Sequence, residues 1–153
     1  MRGMISPFSA RAAGLLGLLL AGCISIGAEV EPRVIQIQQA WQLQPGDEVG
    51  GRRINAGLGD ISIELKGRWV YAPFDGKVQP SSKGCVMFSS PQIPAYLVRL
   101  CGLSQPQLGD VRQGEAIGSA RTLAFAAFRR LPDGKWAMVE PSSQLIEQTL
   151  RKP

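Results

Sequence analysis

Apolar and polar residues alternate with period two through much of this chain, in short runs. The first is Val34-Ile35-Gln36-Ile37-Gln38, followed by Trp41-Gln42-Leu43-Gln44, which Pro45-Gly46-Asp47 interrupts. Further runs follow Gly50-Gly51: Asp60–Leu65, Trp69–Tyr71, Lys77-Val78, Cys85–Phe88, Ala95–Leu100, Ala116-Ile117 and Leu123–Phe128. Between most of them stand pairs that favour turns: Lys66-Gly67, Asp75-Gly76, Lys83-Gly84, Gly109-Asp110, Gln113-Gly114 and Asp133-Gly134. Period two over four to six residues, punctuated by Gly turns, predicts a mainly β chain, a barrel or a sandwich. One short helix is predicted at the end, from Ser142 or Ser143 to Arg151. A serine can cap its start, Leu145, Ile146, Thr149 and Leu150 share one side, and Arg151-Lys152 suits the C-terminal dipole.

The first residues break this pattern. Arg2 and Arg11 precede an apolar stretch, Ala12–Gly22, centred on Leu15, Leu16, Leu18, Leu19 and Leu20. A basic start, about 7–15 apolar residues and a small-residue cleavage site make a secretory signal, and the stretch is shorter than the roughly 20 residues of a membrane span. Its end, Leu20-Ala21-Gly22-Cys23, resembles the lipobox of bacterial lipoproteins. The resemblance implies removal of residues 1–22, lipid on Cys23, a tether over 23–33 and a single domain over 34–153. Several acyl chains on one residue would anchor the protein stably in a membrane. The implied location is the bacterial cell envelope, facing the periplasm or the outside. Ile24 supplies no acidic inner-membrane retention residue, which favours the outer membrane.

Removal of residues 1–22 leaves 131 of the 153, enough for one domain with a modest core. The formal charge of +5 loses Arg2 and Arg11 and becomes +3. Arg52-Arg53, Arg129-Arg130 and Arg151-Lys152 are too short to form a nucleic-acid stripe and read as solvated faces, so no nucleic-acid partner is expected. With Cys23 assigned to lipid, Cys85 and Cys101 remain, each in an apolar strand-like run. An envelope compartment permits a bridge between them; buried free thiols are the alternative.

Two longer motifs carry the functional reading. Val70-Tyr71-Ala72-Pro73-Phe74-Asp75-Gly76-Lys77-Val78 places a proline at a strand end and Asp-Gly where a tight turn with positive φ is expected. Downstream, Gly109-Asp110-Val111-Arg112-Gln113-Gly114-Glu115-Ala116-Ile117-Gly118 reads as a second hairpin. Together they resemble the β-core of lysostaphin-like zinc endopeptidases and of biotinyl or lipoyl barrel-sandwich domains. Leu123–Arg130, with Asp133-Gly134-Lys135 and Val139-Glu140-Pro141 behind it, is similar to the peptidase family's His-x-His-Phe-Glu-Leu-Arg strand and its closing segment. Ala56-Gly57-Leu58-Gly59-Asp60-Ile61 resembles the His-x-Gly-x-Asp-Ile segment. The resemblance spans Asn55 to Leu145 and implies a small barrel-sandwich or folded β-sheet core with a peptide-binding groove.

The family holds one zinc through two histidines and an aspartate, and this chain contains no histidine. Carried over by position, the first ligand falls on Ala56, the aspartate on Asp60, a mid-domain histidine near Gly102, and the His-x-His pair on Leu123 and Phe125. One carboxylate cannot replace about three protein ligands, so no metal or cofactor is expected. Serine and cysteine nucleophile relays lack their base, and no acidic pair stands in an unusually apolar setting. Lys83 occupies the place of a carrier lysine without the flanking Met-Lys-Met pattern, and Gly57-x-Gly59 opens no helix, so it is no phosphate loop. The expectation is a non-catalytic envelope lipoprotein whose inactive peptidase-like domain binds peptidoglycan or regulates a cell-wall hydrolase. The alternative is a structural adaptor of an envelope export or assembly complex, which would call for coiled-coil flanks that the sequence lacks.

Overall fold

A computed structural model of the chain describes residues 41–82 and 84–152. The signal at 1–22, Cys23, the tether at 23–33, the run Val34–Gln38 and Lys83 lie outside the described residues. Nine strands and one helix follow in order: β1 (Glu48–Val49), β2 (Arg52–Leu58), β3 (Asp60–Tyr71), β4 (Gly76–Pro80), β5 (Cys85–Ser89), β6 (Tyr96–Cys101), β7 (Gly109–Val111), β8 (Ala116–Arg130), β9 (Trp136–Val139) and α1 (Ser143–Leu150). Among the described residues the chain is mainly β with one short helix, as its periodicity predicts. All pairings are antiparallel, in the order β1-β2-β3-β8-β6-β5-β4-β7, with β9 also on β8. The sheet folds over a core but its path does not close into a barrel.

Strand β8 is the spine. Its first part pairs with β3 (Val70↔Gly118 to Ile61↔Phe125), its second with β6 (Cys101↔Ala124 to Tyr96↔Arg129), and beyond β3 its free edge takes β9 (Ala127↔Val139). Alternation then assigns faces. Ile61, Ile63, Leu65, Val86, Phe88, Val98, Leu100, Leu123 and Phe125 turn inward and are buried, joined by Ile54 and by Ile146 of α1. Among the described residues every core residue lies between Val49 and Ile146, with Trp41 and Leu43 packed against them. The compact unit Ile37–Pro153 contains this core.

Several boundaries differ from the periodicity, each for a local reason. Lys66 and Gly67 do not end a strand. They adopt positive φ (54° and 86°) inside β3, where the register slips between Glu64 and Arg68, so the pair forms a bulge. Trp41–Gln44 is not a strand, although Leu43 N–H donates to Glu140 Oε1 at 2.8 Å and Leu43 packs on the core. Strands β1 and β9 arise where alternation is poor, and β2 lies outside the predicted runs. The helix begins where expected: Ser142 Oγ accepts from Leu145 N–H (3.2 Å), and buried Thr149 satisfies its hydroxyl on the Leu145 carbonyl (2.8 Å).

The two long motifs are neighbours but not hairpins. They pair with each other: Val70 and Tyr71 with Gly118 and Ala116, then Gly76–Val78 with Val111–Gly109. Where both chains jog, Ala72 N–H donates to the Glu115 carbonyl and Gly114 N–H to the Ala72 carbonyl, each at 2.8 Å. Asp75 Oδ1 accepts from Gln113 N–H at 2.8 Å, tying the two jogs together. Gly76 is not in the positive-φ region expected of an Asp-Gly turn. Its lack of a side chain serves packing, because a Cβ there would stand 2.2 Å from the Ser89 carbonyl and 2.8 Å from the Phe88 ring.

Candidate functional site

The outward parity of β5, β6, β8 and β3 forms a second sheet face. Directly opposed residues define its rows: Met87, Arg99 and Ala126 across β5, β6 and β8, and beside them Cys85, Cys101, Ala124 and Ser62. Asp60, two residues from Ser62, shares this face. Most of these side chains are half-buried, whereas their inward neighbours are fully buried.

Arg99 dominates the face. Its Nη2 donates to Asp60 Oδ1 at 2.7 Å, and its guanidinium lies 5.3 Å from the centre of the Phe128 ring. A charge-assisted hydrogen bond on one side and an aromatic face on the other fix the group in place. Its Nε is buried and has no hydrogen-bond partner among the described residues. Along one border runs a cleft of about 630 Å³, lined by Lys77, Ser89, Leu97, Tyr96, Asp110 and Trp136 among others. Trp136 on β9 remains 42% exposed, so the cleft has an apolar wall open to solvent.

Cys85 and Cys101 are joined by a disulfide on this face. They are directly opposed, with Cα atoms 4.0 Å apart, a little inside the usual range of about 4.4–6.8 Å. Gly102 N–H donates to the Gly84 carbonyl next door, which leaves the cysteines in the close, non-hydrogen-bonded register that favours a bridge.

The five positions matched to a zinc site do not converge. Ala56 and Asp60 are on the outward face. Leu123 and Phe125 point into the core with no exposure, and Gly102 is an exposed turn residue at φ 89°. Parity places Ala124 and Ala126, rather than Leu123 and Phe125, beside Asp60, since a shift of one residue moves a strand's side chains to the other face. Methyl groups at both positions and a carboxylate already held by a guanidinium do not fit a zinc ion. Among the described residues no group of three or more Cys, Asp or Glu side chains could hold a metal. Arg99 and Phe128 were missed in the sequence. The available signal was the single charge in Tyr96–Cys101, at a position alternating with Val98 and Leu100.

One other carboxylate is electrostatically distinctive. Glu115 is held below its ordinary pKa of 4.5, first by the Arg112 N–H on Oε2 (2.9 Å) and then by Gln107 Nε2 on Oε1 (2.7 Å). It braces the turn between β7 and β8 and is remote in chain position from the Arg99 face. No protein-family model matches the chain, and no curated protein matches it significantly.

Proposed function

We propose that this protein is a non-catalytic binding module of the bacterial cell envelope, anchored by lipid on Cys23. In this reading the outward sheet face is a groove for an extended peptide, that of peptidoglycan or of a cell-wall hydrolase. The observation that carries it is the Arg99–Asp60 pair at 2.7 Å, at the heart of an open, half-apolar face. A fixed guanidinium presents positive charge and N–H donors to peptide carboxylates and carbonyls, the binding share of what a metal ion would offer. It does not activate water for attack. The resemblance of the paired motifs to the peptidase core supports the same reading, as does the lack of any histidine to serve as ligand or base.

The test is co-sedimentation of residues 24–153 with purified peptidoglycan at high salt, beside elemental analysis for zinc. Binding is expected, with no stoichiometric zinc and no cleavage of peptide bridges. Leu97→Asp, at the cleft wall, should weaken binding without unfolding the domain. Stoichiometric zinc with hydrolysis that a chelator abolishes would overturn the reading. So would retention on peptidoglycan that Leu97→Asp leaves unchanged.

A further inference from the structure

A second surface, away from the Arg99 groove, has its own chemistry. The bulge at Lys66 and Gly67 breaks the alternation of β3, so that Lys66, Gly67, Arg68 and Trp69 are exposed in succession. Trp69 is the most exposed large apolar side chain among the described residues, at 55%. A cleft of about 580 Å³ opens between this bulge, the Gly50–Arg52 turn and the end of α1. Arg52, Arg68, Arg151 and Lys152 line it, with Trp69 and Tyr71 as aromatic walls. The one acid in the lining is Glu147, whose Oε2 stands 3.8 Å from Arg151 Nη2. Four cations therefore face one carboxylate in a concave site.

Ordinary surfaces intersperse charges of both signs, and a cleft lined by one sign focuses its field on a counter-ion. An indole left in water among cations has a specific use. Its apolar body and polar N–H suit the boundary between headgroups and acyl chains, while arginine and lysine meet phosphates above it. We infer that this cleft docks the domain on an anionic phospholipid surface, with headgroup phosphodiesters among Arg52, Arg68 and Lys152 and Trp69 dipping to the acyl boundary. The cations ring one cleft and make no stripe of the length that a nucleic acid would need. The inference does not rest on the groove reading. It holds for the domain without its lipid.

Residues 24–153, the mature chain without its lipid, are titrated with vesicles of phosphatidylcholine carrying brominated acyl chains, with and without phosphatidylglycerol. Trp69 emission is read as the difference from Trp69→Phe, and circular dichroism confirms that each variant is folded. Quenching of Trp69 is expected only with phosphatidylglycerol and should be relieved by salt. Combined Arg52→Gln, Arg68→Gln and Lys152→Gln should raise the lipid needed for half-quenching by roughly fivefold per cation, on the order of 100-fold in all. All three changes are on the surface, and Arg151 keeps its partner Glu147. Equal quenching on phosphatidylcholine alone, no quenching, or indifference to the three neutralisations would overturn the inference. A Trp69 response to an oligonucleotide without one to vesicles would overturn it in favour of a nucleic-acid site.

Discussion

Replacing both Cys85 and Cys101 by alanine removes one covalent tie and little else. The sulfurs are on the half-exposed outward face, so alanine opens no core cavity and the transfer and cavity terms of a buried truncation stay small. What is lost is the constraint on the unfolded chain. The bridge spans a sequence separation of 16, and closing a loop of that size is worth about 3 kcal/mol at 25 °C in the chain-entropy treatment. With a urea slope of about 2 kcal/mol/M for a domain of this size, the unfolding midpoint should fall by about 1.5 M. The assay is equilibrium unfolding followed by tryptophan fluorescence and circular dichroism. Reduced wild-type protein serves as a second route to the same state, and its midpoint should coincide with that of the double variant. The slope itself should rise slightly, because an unbridged chain exposes more surface when unfolded. Coincident curves for oxidised wild type and double variant, with the bridge verified by thiol titration, would refute the reasoning. The β5–β6 pairing would then hold that loop closed in the unfolded ensemble without help from sulfur.

Further outcomes follow from single positions. Gly76→Ala should cost about 1–3 kcal/mol, because the clash at 2.2 Å is with a backbone carbonyl that cannot rotate away, and an unchanged urea midpoint would contradict that packing. Asp60→Asn should cost about 1–2 kcal/mol by weakening the partner of a half-buried guanidinium, and adding Arg99→Gln should cost much less than the sum of the two; strictly additive losses in a double-mutant cycle would mean the pair is not coupled. Glu115 titrates below 4.5 when folded, so its contribution is present above its unfolded pKa and disappears as pH falls through the depressed value. Glu115→Gln should therefore flatten the fall of the urea midpoint below pH about 4.5, and parallel acid limbs for wild type and variant would rule this out.

How much could be read from the sequence depended on how strongly one face was buried. Strands β5 and β6, β3 from Asp60 to Leu65 and β8 from Leu123 to Phe125 show clean alternation because their inward residues are buried while their outward ones are half-exposed. Strands β1 and β9 are short edge strands where little is buried, and their sequences carry no period. Lys66-Gly67 has turn chemistry, and only the pairing of both flanks with β8 makes it a bulge. Asp75-Gly76 illustrates the opposite limit: its glycine answers to the Phe88 ring, 12 residues away in sequence, which no local rule detects. The cysteine pair was legible because an even number of cysteines, once Cys23 is set aside, coincided with strand texture around both. The outward face was not, because choosing between Leu123 with Phe125 and Ala124 with Ala126 requires the register, and Asp60 meets Arg99 across 39 residues.

The spine strand also governs when the fold can exist. Hairpins β2–β3 and β5–β6 join segments close in sequence and can form as soon as each is available. Neither has a partner sheet until Ala116–Arg130 arrives, since β8 alone joins β3 to β6. Val70 waits 48 residues for Gly118, and the inward side chains of both hairpins stay wet meanwhile. Assembly dominated by such distant pairings is slow. A chain emerging amino end first thus stays pliable until about residue 130, when β8 is complete, and only then commits to its fold.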